Sequence, residues 1–438
     1  MTVSRLLIAL GCSGDDPKPP PTDDTETSST ADTGCTAHAD DALCTDAGAS
    51  CGEVQADDGC GQTVTVDCGT CAGDELCGLA VPNQCDDPAA VCTDGVLSGA
   101  ETDVDCGGPD CAECPVGAAC IDDEDCEEGI CGGGTCVVGS WSTGVPPMPT
   151  ARGDLAVVWA GGRLYAMGGF SEDLGAVDRV EVYDPGVGGW TTTASLPYTL
   201  YNHDAAVDDQ GRIYVIGGSS DSPGASCRTA IRYDPSADAW SLLELVPTCR
   251  SDGRVVFGDD GLLYAVGGFS ADTGTLSSVD VYDPGTNTWS TGDALATERR
   301  AHVLVRADDG SLFAVGGRSS TSSIGDPGEA SMERLVPGAG WFTQPDAPFP
   351  RDDASAVFLD GRIVNAGFRE VGSPGHKSHE VDVYDVAAEV WLPGARMPTP
   401  RRGADAAVGP DGAMYVVGGW LEDVTIAEST DVVEAFHP

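Results

Sequence analysis

Positive charge is what this chain of 438 residues has least of. Lys and Arg number 22 against 71 Asp and Glu, for a formal net charge of −49. No Lys or Arg occurs between Pro19 and Ala151. A surface like that carries no cationic footprint, so it repels nucleic acid and anionic lipid and excludes both as partners. Long apolar runs are missing too. No stretch reaches the roughly 18 apolar residues of a membrane-spanning helix, so none is expected. Aromatic residues make up only 6% of the chain, and the few large side chains must be placed economically.

Cysteine is present but lopsided. Sixteen of nineteen lie between Cys35 and Cys136, with Cys12 before them and Cys227 and Cys249 after. Residues 35–138 are acidic, rich in Gly and Asp, and poor in large apolar residues. A core of that quality needs covalent restraint, so a disulfide-rich segment from an oxidising compartment is expected. The gaps in Cys68-Gly-Thr-Cys71 and Cys111-Ala-Glu-Cys114 also suit zinc, but no second knuckle pairs with them cleanly, and no metal is assigned. The acidic run Asp122 to Asp125 lacks the ligand spacing and turn glycine of a calcium loop, which favours a solvated face. Residues 13–34 are rich in Pro, Asp and Thr and read as an extended tether.

The first twelve residues place Arg5 before the apolar run Leu6 to Leu10 and then Gly11-Cys12. This resembles a bacterial lipoprotein signal, departing from it in a short apolar run and in Ala9. The resemblance implies a signal peptide over 1–12, acylation of Cys12, and export across the inner membrane of a Gram-negative bacterium. Ser13 then implies an outer-membrane or cell-surface anchor, with membrane contact through lipid alone. Two stretches, Cys92 to Cys114 and Cys120 to Cys136, resemble modules common in lipoproteins of myxobacteria and their relatives. That likeness implies no activity.

The rest of the chain repeats. A double glycine recurs at Gly168-Gly169, Gly217-Gly218, Gly267-Gly268, Gly316-Gly317 and Gly418-Gly419, with Ala366-Gly367 in the remaining slot. The second glycines step by 49, 50, 49, 50 and 52. Tryptophans keep pace at Trp141, Trp190, Trp240, Trp289, Trp341 and Trp391. Tyr-Asp-Pro begins at Tyr183, Tyr233 and Tyr282. A tight turn before each double glycine predicts a hairpin, strands a and b, and Tyr-Asp-Pro and Trp mark strands c and d. A period near 50 residues resembles the kelch motif of β-propellers. The expected fold is therefore all-β: a small disulfide-rich, loop-rich segment, then a six-bladed kelch propeller over 139–438.

The two series are offset. Trp141 precedes the first double glycine, and no tryptophan strand follows the last. Ring closure is therefore expected through the segment near Trp141, which would complete a sixth blade with strands between Ala404 and Phe436. Blade four carries a Ser-rich insertion at Ser319 to Ser323, and blade five one at Gly372 to His379.

Counting ten residues back from the second glycine of each turn finds Arg152, Tyr201, Ser251, Arg300, Arg351 and Arg402, with Arg250 beside Ser251. If strand a lines the axis, Arg152, Tyr201, Arg250, Arg300, Arg351 and Arg402 ring one mouth of the channel. Guanidinium groups there could clamp a carboxylate or sulfate. Alternatively each pairs with a carboxylate such as Asp154, Asp252 or Asp353 and joins neighbouring blades. Cys227 and Cys249 fall on that same face, where a disulfide is expected.

The kelch resemblance implies a binding face made by the b–c and d–a loops. It also supplies enzymatic analogues: a sialic-acid mutarotase with an arginine-lined face, and galactose-oxidase-like copper enzymes, whose inventory Tyr201, His203, His302 and Cys227 match thinly. The first expectation is a monomeric, non-catalytic cell-surface protein without a cofactor, binding a protein, peptide or glycan at that face. The alternative is an enzyme acting on an anionic sugar.

Overall fold

The computed structural model describes residues 53–57, 63–68, 76–77, 85–86, 97 and 101–438, apart from 105, 109–110, 128–129, 223–225, 320–327, 369–378 and 423–426. Cys12, the tether over 13–34, most of the cysteine-rich stretch before 101 and nearly all of both loop insertions lie outside the described residues. The chain divides into two units, Met1–Cys85 and Asp86–Pro438. In the first, Glu53–Asp57 pairs antiparallel with Thr63–Asp67.

In the second unit, residues 101–138 are held by the bridges Cys106–Cys114, Cys120–Cys131 and Cys126–Cys136. The acidic run is not simply a solvated face. Asp125 is buried and accepts the backbone N–H groups of Gly108, Ile121 and Asp122. The first two of those bonds hold its carboxyl below the ordinary range, Ile121 contributing most. Asp123 accepts from Cys131 N–H at 2.8 Å.

Six four-stranded antiparallel sheets follow. Blade one is Ala156–Ala160, Arg163–Met167, Val180–Asp184 and Gly189–Thr192, strands a to d. Blades two to five repeat that order over 201–242, 254–291, 303–344 and 355–394. Blade six is Asp405–Val408, Met414–Val417, Val433–His437 and Ser140–Ser142, with Phe436 opposite Trp141. The ring is thus closed by the early segment, as the offset of the two series predicts.

Each repeated residue joins one blade to the next. Each of the six repeated tryptophans sits opposite an apolar residue of strand c, as in Tyr282–Trp289, with ring centroids 4.9 Å apart. Its indole N–H donates to a carbonyl in the loop leaving the preceding blade: Trp190 to Pro146, Trp240 to Ala194, Trp289 to Glu244, all at 2.9 Å. Trp141 does the same to Ala395, at 2.7 Å. The double glycine has a similar task. Gly268 N–H donates to Arg299 O of the next blade at 2.9 Å. A Cβ on Gly267 would lie 2.5 Å from that oxygen, and φ of Gly268 is +105°, so neither position tolerates a side chain.

Between strands b and c, each blade but one buries an ion pair. Arg152 meets Glu181 at 2.5 Å, Arg250 meets Asp280 at 2.6 Å and Arg299 meets Glu333 at 2.7 Å. Arg351–Asp382 and Arg401–Glu434 complete the set. Arg152 also donates to Gly168 O and Ala166 O, so its guanidinium fastens strand b as well. In blade two the equivalent residues are Leu200 and Ile231, each 0% exposed. Charge and counter-charge have been replaced together, since either alone would leave an unpaired buried group.

This yields a test. Arg351→Leu alone strands Asp382 and should lower the unfolding free energy by about 3–5 kcal/mol. Adding Asp382→Ile reproduces the blade-two pair and should restore most of the loss. Urea unfolding with disulfides intact measures both, and equal losses in the single and double variants would refute the equivalence.

Candidate functional site

The candidate site is the axial channel, lined by the six a strands. At its b–c/d–a end the chain enters each blade through one residue with φ between 50° and 57°: Asp154, Asn202, Asp252, Ala301, Asp353 and Gly403. This twist turns each amide sideways. Asn202 N–H donates to Asp154 O, Asp252 to Asn202, Ala301 to Asp252, Asp353 to Ala301, Gly403 to Asp353, and Asp154 to Gly403, at 2.8 to 3.0 Å. Six peptides thus form a closed hydrogen-bonded circle around the axis. Asp, Asn and Gly tolerate the left-handed conformation best, which accounts for five of the six residue types.

The circle presents three carboxylates, Asp154, Asp252 and Asp353, to a small mouth cavity of about 30 Å³. Burial, reinforced by the charge of Asp353 and then of Asp252, pushes Asp154 up to about 7, with Arg402 opposing. Burial and Asp353 push Asp252 up to about 6, with Arg300 opposing. Beneath them Arg254 crosses the channel. Its guanidinium donates to His302 O at 2.9 Å and approaches Asp204 at 3.5 Å and Asp405 at 3.4 Å. Asp204 and Asp405 accept the N–H groups of Val255 and Val157 in the blades that follow them. Burial and then Asp204 raise Asp405 to about 7 against the pull of Arg254. Below this cluster, Val157, Ala205, Val255 and Ala406 continue into a wider cavity of about 370 Å³, open at the a–b end.

The expected arginine ring does not form. Arg152, Arg250 and Arg351 are 0%, 2% and 2% exposed and belong to the ion pairs inside the blades. Only Tyr201, Arg300 and Arg402 stand at the rim. The count of ten mixed two registers because the a–b turns differ in length. They span two residues in blades one and five, where Ala160 pairs Arg163 and Leu359 pairs Arg362, and are longer elsewhere, as where Val207 pairs Ile213. The rim arginines contact the neighbouring blade, Arg300 with Asp252 at 3.8 Å and Arg402 with Asp353 at 3.4 Å. Arg300 also lies over the Phe269 ring at 4.9 Å, and Tyr201 meets Phe170 edge-on at 5.5 Å.

Cys227 and Cys249 are joined in a disulfide, so Cys227 has no thiol to crosslink a tyrosine in the manner of a copper oxidase. His203 and His302 are buried, and each ring packs over the double glycine of the preceding blade. Burial pushes His203 down to about 4 and His302 well below its ordinary value. The cysteines Cys120, Cys126 and Cys136 lie close enough to hold a metal ion, but all three are consumed in disulfides.

Architecture and channel together define a kelch-type β-propeller. Residues 151–197, 205–244 and 253–293 match the family described as "Kelch motif". Among solved structures, one titled "Structure of YjhT" is similar at 14% identity and a TM-score of 0.56, covering 66% of this chain and 96% of that one. At that identity the likeness shows the fold alone. No curated protein matches the chain.

The raised carboxylates have a definite linkage. Asp154 holds a proton in the folded state up to about pH 7, whereas the unfolded chain loses it near pH 4. Stability from this group is therefore lost as pH rises through that window. Asp154→Asn should match the parent near pH 4 and gain on it up to pH 7, ending on the order of 1–3 kcal/mol more stable at pH 8. Urea unfolding across that range measures the difference, and a gain independent of pH would contradict the linkage.

Proposed function

We propose that the protein is a non-catalytic interaction protein of the cell surface, docking a basic protein or peptide on its b–c/d–a face. The observation that carries this reading is the sign of the mouth. With three of the six expected basic and aromatic groups buried inside blades, Asp154, Asp252 and Asp353 rather than an arginine ring line the mouth, with Arg254 alone crossing beneath them. Around it the loops expose Glu172, Asp173, Asp221, Asp272, Glu298 and Glu428. Complementary charge steers and orients a cationic partner to such a face. Anchorage at the outer membrane through an acylated Cys12, with 13–34 as tether, belongs to the same proposal.

The alternative, an enzyme for an anionic sugar, loses its arginine clamp. Asp154, pushed up to about 7, has the poise of a general acid or base, but the cavity beside it, about 30 Å³, is far below the roughly 300–1,000 Å³ of an ordinary small-molecule site.

A fluorescent twelve-residue peptide of alternating Lys and Gly tests the reading by anisotropy on the intact, disulfide-bonded chain. Binding should weaken when Asp173 and Asp272 are changed to Asn, and fall as salt rises from about 50 to 300 mM. Changing Asp209 and Asp260 on the opposite face should leave it unaltered. Equal weakening from both faces, or no binding, would sink the proposal.

A further inference from the structure

Blade six differs from the others in how its outer strand is held. In blades one to five a short turn joins strand c to strand d, as at 185–188 in blade one. No turn joins Val433–His437 to Ser140–Ser142, and the latter has three residues where the other d strands have four or five. Across this seam the two strands share three register pairs, the Ser142–His437 side-chain hydrogen bond at 3.0 Å and the edge-on rings of Trp141 and Phe436. So short a ladder is weak on its own. The chain just before it is held elsewhere. Val138 lies alongside strand d of blade five, its N–H donating to Pro393 O at 3.0 Å and its C=O accepting from Ala395 N–H at 2.9 Å. Its side chain is fully buried in a core shared by blades five and six, with Val381, Met414 and Phe436. Gly139 then passes under the Phe436 ring with φ of +73°, where a Cβ would come within 2.2 Å of Phe436 Cζ. Behind Val138 stands the disulfide-bonded segment. Val116 packs on the same core, Gly117 N–H donates to Cys136 O at 2.8 Å, and Cys136 N–H donates to Ala118 O at 2.9 Å. Cys136 itself is buried and bonded to Cys126.

We infer that the segment over 101–138 is a strap across blades five and six, which replaces the missing c–d turn and makes closure of the ring conditional on oxidation of its cysteines. The core of that segment is built of cysteines: Cys106, Cys114, Cys120, Cys126 and Cys136. With thiols in place of bridges it has too little apolar surface to keep its shape. Val116 and Val138 then lose their common support, and strand d of blade six is free to leave. Each bridge forms as two thiols exchange with an external disulfide, which departs as two thiols, a reaction that an oxidising compartment sustains. The effect is confined to the seam, because the entry to blade one has fastenings of its own. Met148 N–H donates to Asp431 O at 2.8 Å, Arg152 N–H to Thr430 O at 3.2 Å and Asp154 N–H to Gly403 O at 2.8 Å. An unstrapped propeller therefore keeps its axial circle, while blade six is left with three strands and an open edge at Val433–His437.

Hydrogen exchange of the full disulfide-bonded chain, read by mass spectrometry, tests the strap. Cys126→Ser together with Cys136→Ser removes the bridge next to Val138 and leaves the partners of every other bridge in place. Exchange over Val433–His437 should quicken about tenfold or more, while Ala156–Met167 in blade one keeps the parent rate. Adding Ser142→Cys and Ala435→Cys, which are register partners in the seam, links strands c and d directly. Once mass confirms that bridge, the parent rate at Val433–His437 should return. Val116→Ala touches no cysteine and should give the same local pattern at about twofold or more, which keeps the test open if the serine variant does not fold. Unchanged exchange at Val433–His437 in a folded variant, equal quickening in blade one, or no recovery with the seam bridge formed would overturn the strap.

Discussion

The circle of six peptide hydrogen bonds around the axis is the constraint from which the rest of the structure follows. Five of the bonds join residues about fifty positions apart, and the sixth returns from Asp154 to Gly403. Closure of this kind demands that six insertions of chain arrive at one radius with one backbone conformation. The repeat period, the left-handed twist at Asp154 and its equivalents, and the double glycines all serve that demand. The same circle gathers side chains it did not need for its bonding. Asp and Asn were suited to the twist, and the carboxyl groups of Asp154, Asp252 and Asp353 came to line the mouth with them. Chemistry at the axis is in this sense a by-product of backbone geometry.

Outside the circle, the blades are joined by two further layers. Buried arginine–carboxylate pairs hold strands b and c at mid-radius, and tryptophan N–H groups reach the preceding blade's loop at the rim. Blade two shows that the ionic layer is replaceable, because Leu200 and Ile231 occupy it without charge. Such swaps are tolerable only in pairs, a rule general to buried ions. The tryptophan layer has no such exception among the six positions.

Much of the architecture was legible in the residues. The fifty-residue period, the Asp-Gly turns and the offset of Trp141 required only local chemistry and counting, and they led to six blades and the closing segment. The site was less legible. A count anchored on the turns failed because blades one and five turn in two residues, which slipped Arg152 and Arg351 into a register different from that of Arg300 and Arg402. Counting from the arginines instead gives 152, 200, 250, 299, 351 and 401, and two residues on the Asp-Asn-Gly series. That signal was available. The circle itself was not, since it consists of backbone dihedrals that Ala301 adopts as well as Asp154. Nor was the crossing of Arg254, whose partners come from strands 50 and 151 positions away.

The sixth blade has a bearing on the order of events during biosynthesis. Ser140–Ser142 leaves the ribosome long before Val433–His437, yet the two must lie side by side. Until the later strand exists, the preceding blades form an open arc with an unpaired border at each end, vulnerable to pairing with other chains. Closure of the ring therefore waits on the last strand, and a chain cut short within blade six would leave Ser140–Ser142 without its partner and the axis unfinished.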